Sequence, residues 1–250
     1  MKKISSKDEI TVGFHSCKNI FISRPNDIKE VFIKKSKSDK YSQILDIANK
    51  NNIKTNYVND DSFFLLSKVE THQGIMIIAK KKKYLSEEDL KTQLKHSKNK
   101  EVFLVIDKVD DPRNLGACIR TAEGFSINGI IVDKNNAPQI NETVKKVSAG
   151  ATEYMNIYIV SNLSRVLDTF KKNNVWVYGT SGNCKNYIDN YIFNYPLAIV
   201  IGGENKGLSK NIQKKCDDLI SIKMTGNTES FNMSVAASIF LYVTSAKKSD

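Results

Sequence analysis

Short, nearly continuous runs of apolar residues recur through the second part of the chain. Five of them predict buried strands, over residues 102–107, 129–132, 175–180, 197–202 and 219–222. Most of the sequence between them is compatible with helices. Runs of Val, Ile and Leu separated by helices indicate a parallel sheet that is covered on both faces. Residues 101–250 are therefore predicted to form an α/β domain.

The chain ends in a stretch with helical periodicity. Over residues 232–247, apolar side chains recur at spacings of three, four and seven, at Val235, Ala236, Ile239, Phe240 and Val243. This spacing predicts a final amphipathic helix that packs on the sheet.

Before residue 80, shorter apolar runs alternate with amphipathic stretches. They predict strands over 30–33, 55–58 and 74–79, a helix over 41–51 and a short helix over 63–67. Residues 1–80 are thus predicted to form a small α/β domain. Residues 81–100 are charged and nearly lack core-forming runs, which predicts a linker. It carries one helix, with Ser86 as N-cap and Glu87, Glu88 and Asp89 in its first turn.

Composition places the chain among ordinary globular proteins. Its 250 residues are 40% hydrophobic and 26% charged, which excludes a disordered or collagen-like chain. The chain has neither a long apolar stretch nor a signal-like start, so a cytosolic protein without contact to a membrane is expected. Four distant cysteines with no paired spacing predict reduced, structural thiols and no metal site.

The net charge of +11 favours a polyanionic partner, and its distribution is uneven. Residues 1–100 hold 21 Lys and Arg against 12 Asp and Glu, a net charge of +9, which leaves +2 for the remainder. The first part is therefore the expected electrostatic contact with nucleic acid, although a Lys-rich solvated surface explains the same charge.

Ligands of a parallel sheet bind at the carboxyl ends of its strands, so the residues after each strand matter most. After the first strand, Asp111 and Pro112 mark a loop, Asn114 can cap the following helix, and Arg120 lies six residues further on. Two of the four arginines, Arg113 and Arg120, fall in this segment, in a chain whose other cations are mostly lysine. The planar guanidinium suits a phosphate or an oxyanion. The alternative is a plain cap and a surface ion pair.

The fourth strand breaks into a glycine-rich turn that contains Gly202, Gly203, Glu204 and Gly207. Such a turn lets backbone groups lie against a ligand. It lacks the ending of a P-loop, which disfavours a magnesium nucleotide. Glu204 repels phosphate and suits a cationic or hydrogen-bond-donating ligand.

The loop after the fifth strand is rich in hydroxyl and amide side chains. Ser230, Asn232 and Ser234 alternate just before the last helix, and taken alone they are no more than N-caps. Their functional interpretation depends on all three loops meeting at one edge of one sheet.

Together these segments resemble the three motifs of the SpoU/TrmH branch of the SPOUT RNA methyltransferases. The motif residues are Asn114 and Arg120, then Gly202, Glu204, Gly207 and Leu208, then Ile222, Met224, Ser230, Asn232 and Ser234. The resemblance covers residues 101–246. Residues 11–15 and 72–75 also resemble the start and end of the substrate-binding domain of bacterial 23S rRNA guanosine-2'-O-methyltransferases.

The resemblance implies a deep trefoil knot in the C-terminal domain, an L30e-like RNA-binding domain before it, S-adenosylmethionine as methyl donor, and a homodimer. The residues implied to line the donor pocket are Thr180, Gly182, Gly202, Gly203, Gly207, Ile222, Met224 and Phe231. Those implied to surround the reacting ribose are Asn114, Arg120, Glu204, Ser230 and Asn232. The family usually has glycine where this chain has Asn205, and Leu is commoner than Phe231. Asn tolerates positive φ, so the turn is expected to persist.

The implied reaction is 2'-O-methylation of a guanosine in the peptidyl-site loop of 23S rRNA, on free RNA or a ribosomal precursor. Arg120 is expected to donate to the 2'-oxygen or its adjacent phosphate, because a guanidinium stays protonated. Three alternatives remain: the same chemistry on tRNA or another rRNA site, a non-catalytic ribosome-assembly factor, and a nicotinamide-dependent oxidoreductase. The last lacks its glycine fingerprint.

Overall fold

The computed structural model describes residues 5–37, 39–59, 63, 65, 73–96, 100–182, 184–203 and 207–247. The chain divides into two compact units, Met1–Lys83 and Tyr84–Asp250. Most of the predicted linker, from Tyr84 onward, therefore belongs to the second unit.

The first unit is a four-stranded sheet with helices. Its strands are β1 (Asp8–Val12), β2 (Ile28–Lys34), β3 (Lys54–Val58) and β4 (Ile75–Lys80), and its helices are α1 (Phe14–Ser23) and α2 (Ser42–Lys50). The strand order is β1-β4-β2-β3, with β4 antiparallel to both of its neighbours and β2 parallel to β3.

Sequence reasoning missed β1 and α1. The helix has a helical signal, because Cys17, Ile20 and Phe21 lie on one side and are buried. Strand β1 begins with Asp8 and Glu9, which obscured its apolar alternation. The helix predicted over 63–67 lies largely outside the described residues.

The second unit is a six-stranded sheet in which all neighbouring strands are parallel. Its strands are β5 (Val102–Asp107), β6 (Gly129–Asp133), β7 (Ile157–Val160), β8 (Trp176–Thr180), β9 (Leu197–Gly202) and β10 (Asp218–Ile220). Their order is β10-β8-β9-β5-β6-β7. Its helices are α3 (Glu87–Lys95), α4 (Pro112–Gly124), α5 (Glu142–Val147), α6 (Leu163–Lys172), α7 (Lys210–Gln213) and α8 (Met233–Lys247).

Helices cover both faces of this sheet, as predicted. On one face, Leu115 and Ile119 of α4 pack in the same cluster as Leu241 of α8. On the other, α3, α6 and α7 bury a second set of apolar side chains. Apolar side chains therefore cover both faces of the sheet, so polar functional residues are expected at its edges.

Helix α3 has the predicted N-cap. Ser86 Oγ accepts a hydrogen bond from the Asp89 backbone N–H at 3.3 Å, and the Asp89 carboxylate accepts one from the Ser86 N–H at 2.7 Å. Leu90 and Leu94 are buried in the second unit, however. The prediction of a linker with one short helix overlooked these two apolar side chains at helical spacing.

Strand β7 is the one strand of this sheet that the sequence prediction missed. Ile157, Tyr158 and Val160 are buried, so the segment has a core-forming side. It is only four residues long. A short apolar run cannot be assigned to strand or helix from periodicity alone.

The polypeptide before α8 passes close to the loop after β8. The Ser221 N–H donates to the Asn186 carbonyl at 2.8 Å, and the Ile188 N–H donates to the Ser221 carbonyl at 2.9 Å. The loops after the neighbouring strands β8 and β10 are thus joined. The trefoil knot stays a prediction.

All four cysteines are free. Burial raises the pKa of Cys118 and of Cys216 to about 12, and it raises the pKa of Cys17 as well. Such thiols stay protonated near neutral pH and are poor nucleophiles. Within the described ranges, no helix is long and apolar enough to cross a membrane, and no cluster of side chains could hold a metal ion.

Candidate active site

A cavity of about 330 Å³ opens at the carboxyl ends of β8, β9 and β10. Its wall contains every residue predicted to bind the donor: Thr180, Gly182, Gly202, Gly203, Gly207, Ile222, Met224 and Phe231. The cavity also has lining residues that sequence reasoning missed: Ser181, Gln213, Glu229, Met233, Ala236 and Phe240. Two of the three loops singled out in the sequence, those after β9 and β10, therefore meet in this wall, whereas the loop after β5 contributes to it no residue that the structure describes.

Close backbone packing explains the glycine at the end of β9. A Cβ atom at Gly202 would lie 2.2 Å from the carbonyl carbon of Gly207 and 2.3 Å from the nitrogen of Leu208. The Gly207 N–H donates to the Gly203 carbonyl at 3.0 Å, and Gly207 has φ of 58°. The turn thus folds back onto the strand end and leaves no space for a side chain at 202.

Glu204 and Asn205 lie outside the described residues. The turn is described only at its two ends, where Gly203 and Gly207 pair as an isolated antiparallel bridge. The predicted role of Glu204 accordingly stays a prediction.

A buried carboxylate fastens the far end of this turn to the neighbouring strand. Asp107 ends β5, and its Oδ2 accepts a hydrogen bond from the Ser209 backbone N–H at 2.9 Å. Sequence reasoning missed this contact. The available signal was an acidic residue at the end of an otherwise apolar strand.

Asn114 does not cap α4, contrary to expectation. The helix begins at Pro112 and is capped by Asp111, whose Oδ1 accepts from the Arg113 N–H at 2.8 Å. Asn114 lies in the first turn, where its Oδ1 accepts a hydrogen bond from Asn232 Nδ2 at 3.2 Å. Two predicted ribose-site residues, 118 positions apart, are therefore in direct contact.

Asn232 also caps the last helix. Its Oδ1 accepts from the Ser234 N–H at 2.9 Å and from the Ser234 hydroxyl at 2.7 Å. Its capping role and its contact with Asn114 are thus compatible. Ser230, two residues earlier, lies in the cavity wall.

Arg120 is exposed on α4. Within the described part of the chain, no carboxylate forms a salt bridge with it, so the surface ion pair considered from the sequence is not seen there. The helix that carries it packs against α8, whose first residues border the cavity. An exposed guanidinium can receive a phosphate or an oxyanion from solution.

Comparison with known proteins gives two family matches. Residues 101–242 match the SpoU rRNA Methylase family, and residues 10–85 match the family described as RNA 2'-O ribose methyltransferase substrate binding.

Among curated relatives, the chain is 36% identical over 232 residues to the 23S rRNA (guanosine-2'-O-)-methyltransferase RlmB of Pasteurella multocida. The alignment covers 92% of this chain and 94% of the relative. The enzyme of the same name from Photobacterium profundum is 35% identical, with 94% and 96% covered. Among solved structures, the SpoU methyltransferase AviRb of Streptomyces viridochromogenes in complex with AdoMet superposes with a TM-score of 0.78 at 18% identity, covering 96% of this chain and 90% of that one.

Proposed function

The chain belongs to the SpoU rRNA methylase family, and we propose that it methylates the ribose 2'-oxygen of a guanosine in 23S rRNA, with S-adenosylmethionine as donor. The observation that carries the proposal is the cavity. It gathers all eight predicted donor residues and Ser230 at one sheet edge, and α8, which helps to line it, packs against the α4 helix of Arg120. The named activity of the RlmB relatives, aligned over nearly their whole length, supports the choice of reaction and of RNA.

The cavity fits S-adenosylmethionine in size and chemistry. Its volume lies at the lower end of the range of small-molecule sites, roughly 300–1,000 Å³. Ile222, Met224 and Phe231 offer apolar contact area for an adenine ring, while the glycine turn exposes backbone groups for hydrogen bonds. When bound, the donor supplies an electrophilic methyl group on a sulfonium centre.

The residues of the chain then have to hold and activate the ribose hydroxyl. A free 2'-hydroxyl is a weak nucleophile at neutral pH, so it must be oriented and its developing negative charge stabilised. Arg120 serves as the charged donor to the 2'-oxygen or the adjacent phosphate, and the proton leaves through that phosphate or water. The Asn114–Asn232 hydrogen bond joins the first turn of α4 to the end of the loop that contains Ser230. Glu204 would complete this set.

RNA recognition is assigned to the first unit. This unit matches the substrate-binding family over residues 10–85, and residues 1–100 carry most of the net positive charge. Phosphate contacts from lysine supply affinity without sequence specificity, so position-specific docking is needed as well. The peptidyl-site loop, on free 23S rRNA or a ribosomal precursor in the cytoplasm, is the proposed target.

A transfer assay with three RNAs tests this proposal. The protein is incubated with labelled S-adenosylmethionine and, separately, with protein-free 23S rRNA, 16S rRNA and bulk tRNA. We expect label in 23S rRNA alone. Label in tRNA would support the same methyl transfer but show that 23S rRNA is not the target. Absence of both transfer and donor binding would favour the non-catalytic assembly factor.

A homodimer is part of the proposal, and α8 offers a surface for it. Tyr242 is 63% exposed and Val235 is 44% exposed on this helix, and the centroid of the Tyr242 ring lies 6.1 Å from that of Phe125, the residue that directly follows α4. Exposed aromatic and aliphatic side chains on one surface are typical of a protein interface.

Replacing Tyr242 with Glu is expected to shift the protein from dimer to monomer, because a carboxylate cannot be buried there without a partner. Light scattering coupled to size exclusion measures the mass. Ile22→Glu, which alters an exposed apolar residue of the first unit, is the matched control and should stay dimeric. A Tyr242→Glu variant with unchanged mass would place the interface elsewhere.

A further inference from the structure

Helix α8 presents different faces to the cavity and to α4. Met233, Ala236 and Phe240 line the cavity, and their spacing of three, four and seven places them on one face. Ser234 and Ser238 lie on another face, from which Ser238 contacts α4. The helix is thus shared between the proposed donor site and the helix of Arg120.

Two polar contacts join α8 and its preceding residue to α4. One is the Asn232–Asn114 hydrogen bond, and the other is a contact of 3.1 Å between the hydroxyls of Thr121 and Ser238. Asn114 and Thr121 are seven residues apart, about two helical turns, so they lie on the same face of α4. Arg120 directly precedes Thr121 and lies between the two contacts along the helix.

The direction of the second contact follows from counting protons. The Ser238 hydroxyl donates its one proton to the Ser234 carbonyl at 2.7 Å, so it can only accept from Thr121. Threonine inside a helix commonly donates to a carbonyl of its own helix four residues earlier, as Thr169 does to Arg165 at 3.0 Å. Thr121 instead donates across to α8.

Because Thr121 donates to α8 and not to its own helix, the contact affects the position of α4 relative to α8. A hydroxyl directed at its own helix adds nothing to the apolar packing that resists sliding of the helix against its neighbour. A hydroxyl directed at a second helix penalises any such shift. The penalised shift is the one that would move Arg120 relative to the cavity wall formed by α8.

We propose that Thr121 and Ser238 are a positioning pair that sets the guanidinium of Arg120 against the donor cavity. The pair does not touch the reacting atoms. It rests on the proposed function, because the position of Arg120 matters only if Arg120 assists methyl transfer.

Single and double variants test the pair. Thr121→Val keeps the side-chain shape and removes the donor, and Ser238→Ala removes the acceptor. We expect each to lower kcat on 23S rRNA by about three- to tenfold, the loss that one net hydrogen bond accounts for. The dissociation constant for S-adenosylmethionine should stay within about twofold, the double variant should lose no more than either single variant, and Thr121→Ser should restore kcat.

Thr169→Val is the matched control, because it removes a hydroxyl that bonds within its own helix, α6. Its kcat should equal that of the unmodified protein. The inference is overturned if kcat of Thr121→Val stays within twofold, or if kcat, donor affinity and melting temperature fall together, as a purely structural loss requires. An unmodified protein that neither binds donor nor transfers methyl would contradict the proposed function, and this inference with it.

Discussion

Replacing Arg120 with alanine is expected to abolish methyl transfer while leaving donor binding nearly intact. Arg120 is exposed on α4 and is absent from the cavity wall, so the donor loses no described contact. The reacting oxygen, in contrast, loses its charged hydrogen-bond donor. Removal of one such donor typically lowers kcat by about 10²–10³-fold.

Calorimetry with S-adenosylmethionine and a transfer assay on 23S rRNA separate the two effects. Arg113→Ala is the matched control, since Arg113 is a second exposed arginine on the same helix. It should keep kcat within about threefold. Equal losses of donor binding and transfer in Arg120→Ala would show that Arg120 acts in the donor site or in folding, and would remove its assignment to the ribose.

Replacing Gly202 with alanine should abolish donor binding. The added Cβ would lie 2.2 Å from the Gly207 carbonyl carbon, far inside van der Waals contact, and these atoms belong to backbone that cannot rotate away. The turn from Gly203 to Gly207 must therefore move off β9, and with it a large part of the cavity wall. A dissociation constant weaker by at least about a hundredfold is expected, since several backbone contacts are lost together.

Two further alanine variants make this result interpretable. A Cβ at Gly124 meets nothing within 4 Å, so Gly124→Ala should bind donor as the unmodified protein does. A Cβ at Gly203 would lie 3.2 Å from the Lys108 carbonyl oxygen, so Gly203→Ala should have an intermediate affinity. Donor affinity of Gly202→Ala within a few fold of normal, in a folded protein, would contradict the proposed donor site.

The sequence predicted the second sheet well because most residues of its strands are buried. Residues 102–107 and 197–202 match β5 and β9 at both ends, since apolar side chains fill both faces there. Strand β7 was missed because four residues are too few to distinguish strand from helix. The N-cap of α3 was predicted correctly because it depends only on neighbouring residues.

The candidate site was likewise predicted only in part. The motif resemblance named eight residues as donor-binding, and the cavity wall contains all eight together with others that it did not name. The contacts that hold the site together were out of reach, because Asp107–Ser209 and Thr121–Ser238 join residues 102 and 117 positions apart. Local patterns carry no information on such pairs. The wrong prediction of Asn114 as a cap had a local cause: Asp111 and Pro112 already begin the helix.

Mass spectrometry of the reacted RNA tests directly whether the methyl group goes to a ribose oxygen of a guanosine in 23S rRNA. The RNA is methylated in vitro, digested to nucleosides for identification, and separately cleaved into fragments for mapping. We expect 2'-O-methylguanosine at a single position, in the peptidyl-site loop. A methyl group on a base, or on the ribose of a different nucleoside, would contradict it.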